Sequence, residues 1–98
     1  MDMKLVKAPN LKSWVNSSSK VKGVMKILDK KPRTAREVSK ILFISVNHTK
    51  IIINKLMDVE ITEDGEEKIS LVECVTPDRK RKKLFGLTEE GKEFLEDL

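Results

Sequence analysis

The 98-residue chain has one cysteine, one histidine, no tyrosine and no glutamine. A lone Cys74 excludes an internal disulfide, and Cys74 with His48 is too small a set of soft ligands for a zinc site. There is no glycine-rich phosphate loop, no HExxH and no nucleophile elbow, and any acid–base pair built on imidazole would depend on His48 alone. No enzymatic activity and no cofactor are therefore expected. Aromatic residues make up 4% of the chain. That leaves no stacking platform for single-stranded nucleic acid, and it requires a core of Ile, Leu, Val and Met. The opening Met1-Asp-Met-Lys-Leu-Val-Lys7 has no apolar run of signal-peptide or membrane-span length, so a cytoplasmic protein without membrane association is expected. A chain this short is read as one domain without a large catalytic cleft.

Charge is present in quantity, and it is segregated. Charged residues are 37% of the chain and the net charge is +4. Residues 1–57 carry 13 basic and 3 acidic groups, residues 58–76 carry 1 basic and 7 acidic. Residues 77–83 then carry 5 basic and 1 acidic, and residues 84–98 carry 1 basic and 5 acidic. Such blocks imply a two-sided molecule, with one face suited to phosphate and another turned from it.

The stretch from Thr34 to Val59 carries the strongest local signals. Thr34 and Glu37 have capping-box spacing, in which the hydroxyl accepts from the Glu37 amide and the carboxylate accepts from the Thr34 amide. Ser45 stands before the next apolar-periodic run and can satisfy an amide donor at that helix start. Two helices separated by so short a break cannot lie end to end, so they cross as a helix-turn-helix. Helical spacing predicts that Ala35, Val38, Ile41 and Leu42 are buried on the first helix, and Thr49, Ile53, Leu56 and Val59 on the second, with Ile52 at the edge. Val46, Asn47, His48, Lys50, Ile51, Asn54 and Lys55 are left outward. Their amides and amines can reach base edges and phosphates, and Val46 and Ile51 can touch thymine methyl groups. No Asp or Glu occurs between Glu37 and Asp58, so a polyanion could approach this face without like-charge repulsion.

Thr34-Ala-Arg-Glu-Val38, Ile44-Ser45 and the Ile53, Leu56, Val59 spacing resemble the helix-turn-helix of winged-helix transcription regulators. Leu71-Val-Glu73, Pro77-Asp-Arg-Lys-Arg81 and Leu84-Phe-Gly-Leu-Thr-Glu-Glu-Gly-Lys92 resemble the wing and closing helix of the MarR-type branch. The resemblance covers roughly residues 20 to 98, and Leu87-Thr-Glu-Glu-Gly91 is its most specific part. It implies a mainly α fold with a small antiparallel β-hairpin: a three-helix core, a β wing and a C-terminal helix. The chain departs from the pattern at Phe43, where such turns often have Gly, so the break either avoids a left-handed residue or accepts strain there. Ile61 to Ser70 also intervene where the family passes directly from the second helix to the first wing strand.

The rest of the chain supports this organisation. Residues 1–18 read as an N-terminal extension with one turn of helix around Leu11, Trp14 and Val15, and residues 19–98 as the domain. Trp14 either folds back onto the core or lies in a subunit interface. Ser18 or Ser19 caps a helix with Val21, Val24, Met25 and Leu28 as its stripe, which Lys31-Pro32 ends. Asp64-Gly65 signals a turn within an acidic stretch, Glu60 to Glu67. Ile69 to Thr76 reads as one strand and Lys82 to Leu87 as its return, with Arg79-Lys-Arg-Lys-Lys83 around the tip. Cys74 reads as a small buried hydrophobe, and a sensor role would need Lys82 or Lys83 facing it. Thr88 caps a last helix with Phe94, Leu95 and Leu98 apolar.

Together these features predict a sequence-specific double-stranded DNA-binding transcription regulator. Val46 to Lys55 would enter the major groove, with Asn47, Lys50 and Asn54 leading. Arg79, Lys80 and Arg81 would press toward the adjacent minor groove, and Arg36 and Ser45 would hold phosphates. So few base contacts call for a homodimer, for which residues 1–18 and the last helix remain as interface. The alternative is a winged-helix protein–protein adaptor, suited by the apolar pair Val46 and Ile51 on the outward face.

Overall fold

A computed structural model describes the backbone of residues 9–60 and 68–98, and the side chains of residues 13–59 and 68–98. The expected turn at Asp64-Gly65 and the acidic stretch through Glu67 lie outside the described residues. The chain is mainly helical: α1 (Pro9–Ser17), α2 (Ser19–Lys30), α3 (Ala35–Leu42), α4 (Val46–Met57) and α5 (Glu89–Glu96). Among the described residues there are also two small antiparallel pairings, β1 (Val59–Glu60) with β2 (Lys68–Ile69), and β3 (Val72–Cys74) with β4 (Phe85–Leu87).

The caps are where local chemistry puts them. The hydroxyls of Ser18, Thr34, Ser45 and Thr88 accept from the amides of Val21, Glu37, His48 and Gly91, each three residues on. Each satisfies one donor that a helix start leaves open, worth about 1 kcal/mol. Lys31 is fully extended beyond α2, as the following proline demands. Around α2, which touches α1, α3, α4, α5 and β4, the buried residues form one aliphatic core closed by Phe94.

Several expectations fail in instructive ways. The N-terminal segment is a full helix rather than one turn, and Val15 has no exposed surface. Through Val15 this helix thus contributes to the core, and Trp14 is half-buried against it. On α3 Ser39 is buried while Ile41 is 44% exposed. The Ser39 hydroxyl donates to the Arg36 carbonyl at 2.7 Å, so its burial costs little. Leu42, beside it, packs over Gly23 of α2, whose missing side chain lets the helices approach. This turns the buried stripe of α3 away from Ile41.

The expected strand Ile69–Thr76 is broken in two. Ile69 pairs with Val59, and Val72 pairs with Leu87. Between them, the Ser70 hydroxyl donates to the Met57 carbonyl at 2.6 Å and the Leu71 amide to the Leu56 carbonyl at 2.8 Å. These residues cap the C-terminus of α4, which ends at Met57 rather than Val59, and a capping segment cannot also pair as a strand. The return strand is shorter than expected, Phe85–Leu87, because Lys82 has a left-handed φ of 54°. Register pairs Cys74 with Phe85, so neither Lys82 nor Lys83 stands opposite the thiol. Cys74 is half-buried, not fully buried.

Gly91 explains part of the Leu-Thr-Glu-Glu-Gly run. The Thr88 amide donates to the Leu71 carbonyl at 3.1 Å, which seats the first turn of α5 on Leu71. A Cβ at position 91 would fall inside the van der Waals envelope of that carbonyl oxygen. Gly91→Ala should therefore destabilise the fold by about 2–3 kcal/mol in urea unfolding, by forcing backbone apart. Phe43, the residue after α3, resolves the other open point: it accepts strain, with φ 57° and ψ 42° at 94% exposure. Because it contributes no packing there, Phe43→Gly should raise stability by roughly 0.5–1 kcal/mol in the same assay.

Candidate nucleic-acid interface

Helix α4 lies across the core with Thr49, Ile52, Ile53 and Leu56 buried, and this decides what its other faces can offer. Asn47, His48, Lys50, Asn54 and Lys55 are exposed, as is Ile51. Val46, expected outward, is half-buried. The buried Thr49 hydroxyl donates to the Ser45 carbonyl at 2.9 Å, so its polarity is satisfied within the helix.

The hairpin is anchored at two levels. Arg33, between α2 and α3, makes a one-residue antiparallel bridge to Phe85, with N–H···O distances of 3.0 and 2.8 Å. Above it, the Thr76 hydroxyl accepts from the Leu84 amide at 2.9 Å and the Val75 amide donates to the Leu84 carbonyl at 2.8 Å. Pro77 and Asp78 form a turn closed by the Arg79 amide on the Thr76 carbonyl at 3.1 Å. The five cations Arg79 to Lys83 follow, all exposed.

Between hairpin tip and α4 runs a concavity of about 780 Å³. Ala35, Val46, Ile53 and Phe85 contribute its apolar lining; Arg36, Lys50, Lys80, Arg81, Lys82 and Lys83 line it with positive charge, and Asn54 adds an amide. Of the residues singled out from sequence, Arg36, Val46, Lys50, Asn54, Lys80 and Arg81 are brought together here. The others are not. Ser45 uses its hydroxyl as the cap of α4, accepting from His48 at 3.0 Å. Lys55 turns toward the N-terminal helix, its ammonium 5.9 Å from the centroid of the Trp14 ring, a cation–π contact. Asn47, His48, Ile51 and Arg79 lie outside the concavity. Sequence reasoning counted Lys82 and Lys83 in the cationic run at the hairpin tip but, having assigned them also to the return strand, singled out only Arg79, Lys80 and Arg81 as contacts; Lys82 and Lys83 line the concavity too. It had no signal for Phe85 as a wall, since that position depends on the bridge to Arg33.

Among the described residues, Glu37 is the only acid that lines the concavity. Its carboxylate accepts from the Thr34 amide at 3.0 Å, completing the capping box. That hydrogen bond, aided by the Thr34 hydroxyl and the charges of Arg33 and Lys31, outweighs the opposing desolvation and holds the carboxyl below its ordinary value of 4.5. The charge is thus directed into the start of α3. No family model, curated protein or solved structure matches this chain.

A depressed carboxyl pKa stabilises the fold at pH above 4.5, and the contribution disappears as pH falls through the lowered folded value. Circular dichroism in an acid titration should show this loss. Glu37→Gln, which keeps an acceptor oxygen but does not titrate, should remove that part of the acid dependence.

Proposed function

We propose that this protein is a winged helix-turn-helix regulator of the MarR-like type that binds double-stranded DNA, with no catalytic activity. In this reading α3 and α4 form the helix-turn-helix, the β3–β4 hairpin is the wing, and α4 lies in the major groove. The carrying observation is the concavity between α4 and the hairpin tip, where, among the described residues, six cations from three separate chain segments line one surface with a single acid. Like charges so gathered repel each other, and a polyanion laid between them relieves the repulsion while releasing its own counterions. A sugar-phosphate strand suits a trough with Lys50 on one wall and Lys80 to Lys83 on the other. Arg36 extends the same positive surface from the first turn of α3.

One α4 and one hairpin reach few base pairs, so selective binding requires two copies on a pseudo-palindrome with half-sites roughly 34 Å apart. The buried faces of α1 and α5 are occupied within the protomer, which leaves their outer faces for such a contact. No helix among the described residues is long and apolar enough to cross a membrane. The competing reading, a protein–protein adaptor, draws on the exposed apolar residues Phe43 and Ile51.

Titration of the protein against random-sequence duplex at several salt concentrations separates the two. The DNA reading expects binding that weakens steeply with salt, with a slope lowered by about 2 in R81A/K82A and by about 1 in Lys50→Ala if that lysine meets a phosphate. No binding at low salt removes this reading and leaves the adaptor.

A further inference from the structure

The exposed surface of α4 is not uniform, and the tertiary placement of the helix sorts it. Taking the direction of Thr49, Ile52, Ile53 and Leu56 as the core side, successive residues rotate by roughly 100°. Asn47 then stands roughly 170° from the core direction, and Ile51 and Asn54 roughly 150°. These three form the crest, the part that would project farthest into a groove. Lys50, at roughly 110°, lies down one flank, where it joins the hairpin cations in the concavity. Lys55 lies down the opposite flank, drawn onto Trp14.

The crest therefore contains two amides and an aliphatic side chain, with neither cation nor acid. Ile51 is 54% exposed, an aliphatic surface left to water beside a strongly cationic trough. Each part has a matching base edge. A side-chain amide offers one donor and one acceptor, the complement of adenine N7 and N6, whereas guanine presents two acceptors and is read best by Arg or Lys. An acceptor carboxylate, which would favour cytosine N4, is absent from the crest. Among the bases of B-DNA, thymine alone carries a methyl group at C5 in the major groove, the apolar feature a branched aliphatic can cover.

We propose that the crest of α4 selects adenine–thymine base pairs, Asn47 and Asn54 hydrogen-bonding adenine and Ile51 covering a thymine methyl, while Lys50 serves the phosphates. This rests on the DNA-binding reading above and adds to it the identity of the bases.

The test uses the full chain. Duplexes enriched from a random pool are resynthesised with deoxyuridine in place of thymidine, which deletes only the C5 methyl, and titrated at fixed salt. Enrichment of an A·T block is expected, with affinity lost by about fourfold for each methyl in contact. Ile51→Ala should bind the thymidine and deoxyuridine duplexes alike, and Asn47→Ala should lose A·T preference by roughly fivefold or more. Enriched sites of G·C pairs, no response to deoxyuridine, or an unchanged response in Ile51→Ala overturns the proposal, as does binding without enrichment. In each of those cases salt-dependent duplex binding persists and the DNA reading stands; absence of any duplex binding at low salt removes both.

Discussion

Two backbone hydrogen bonds between Arg33 and Phe85 decide where the cationic hairpin stands. A two-stranded hairpin alone in water is marginal and could lean to any side. Here its return strand meets the extended residue that precedes α3, so the hairpin, α3 and α4 share a common base. Phe85 then lines the concavity together with Lys50 and with Lys80 to Lys83. Without that bridge the hairpin charges and the helix charges would be two unrelated patches.

The bridge is held in turn by the core. Helix α2 contacts both α3 and β4, and Gly23 lets Leu42 close against it. On the far side, Leu71 connects three elements at once. Its amide donates to the Leu56 carbonyl at the end of α4, its carbonyl accepts from the Thr88 amide at the start of α5, and its side chain has no exposed surface. The termini of α4 and α5 are consequently fixed to the same residue that leads into β3. The orientation of α4 about its own axis follows, and with it the division of the helix surface into a crest and two unlike flanks.

Local stability is given up at two turns. Phe43 and Lys82 both hold left-handed backbone that a glycine would adopt without strain, and both are exposed. The cations of the trough repel one another with Glu37 as the only acid in its lining among the described residues, and that carboxylate is engaged in its cap. Of the two left-handed residues, Lys82 lines the trough, so backbone strain and mutually repelling positive charge coincide there, where a partner can compensate for both.

Much of this was legible from residue order, for a consistent reason. The caps at Ser18, Thr34, Ser45 and Thr88, the stripes of α2 and α4, and the run of cations are short-range patterns in which a few neighbouring residues carry the whole signal. Contacts between distant residues carry no such signature. A one-residue bridge has no periodicity, so nothing near Arg33 or Phe85 announces it. The split of Ile69 to Thr76 came from Ser70 and Leu71 being claimed by the end of α4, 13 and 15 residues earlier for their hydrogen-bond partners. Ile41 was displaced by Ser39 because Gly23 admits Leu42, and Lys55 left the expected interface because α1 brings Trp14 beneath it. From Ser19 onward, residue order alone therefore determined which segments are helical, where each begins and which residues carry charge, since these depend on backbone hydrogen bonds and spacing within a turn or two. Which of those charges face one another, and which side of α4 is the crest, was decided only when packing closed the loops between them.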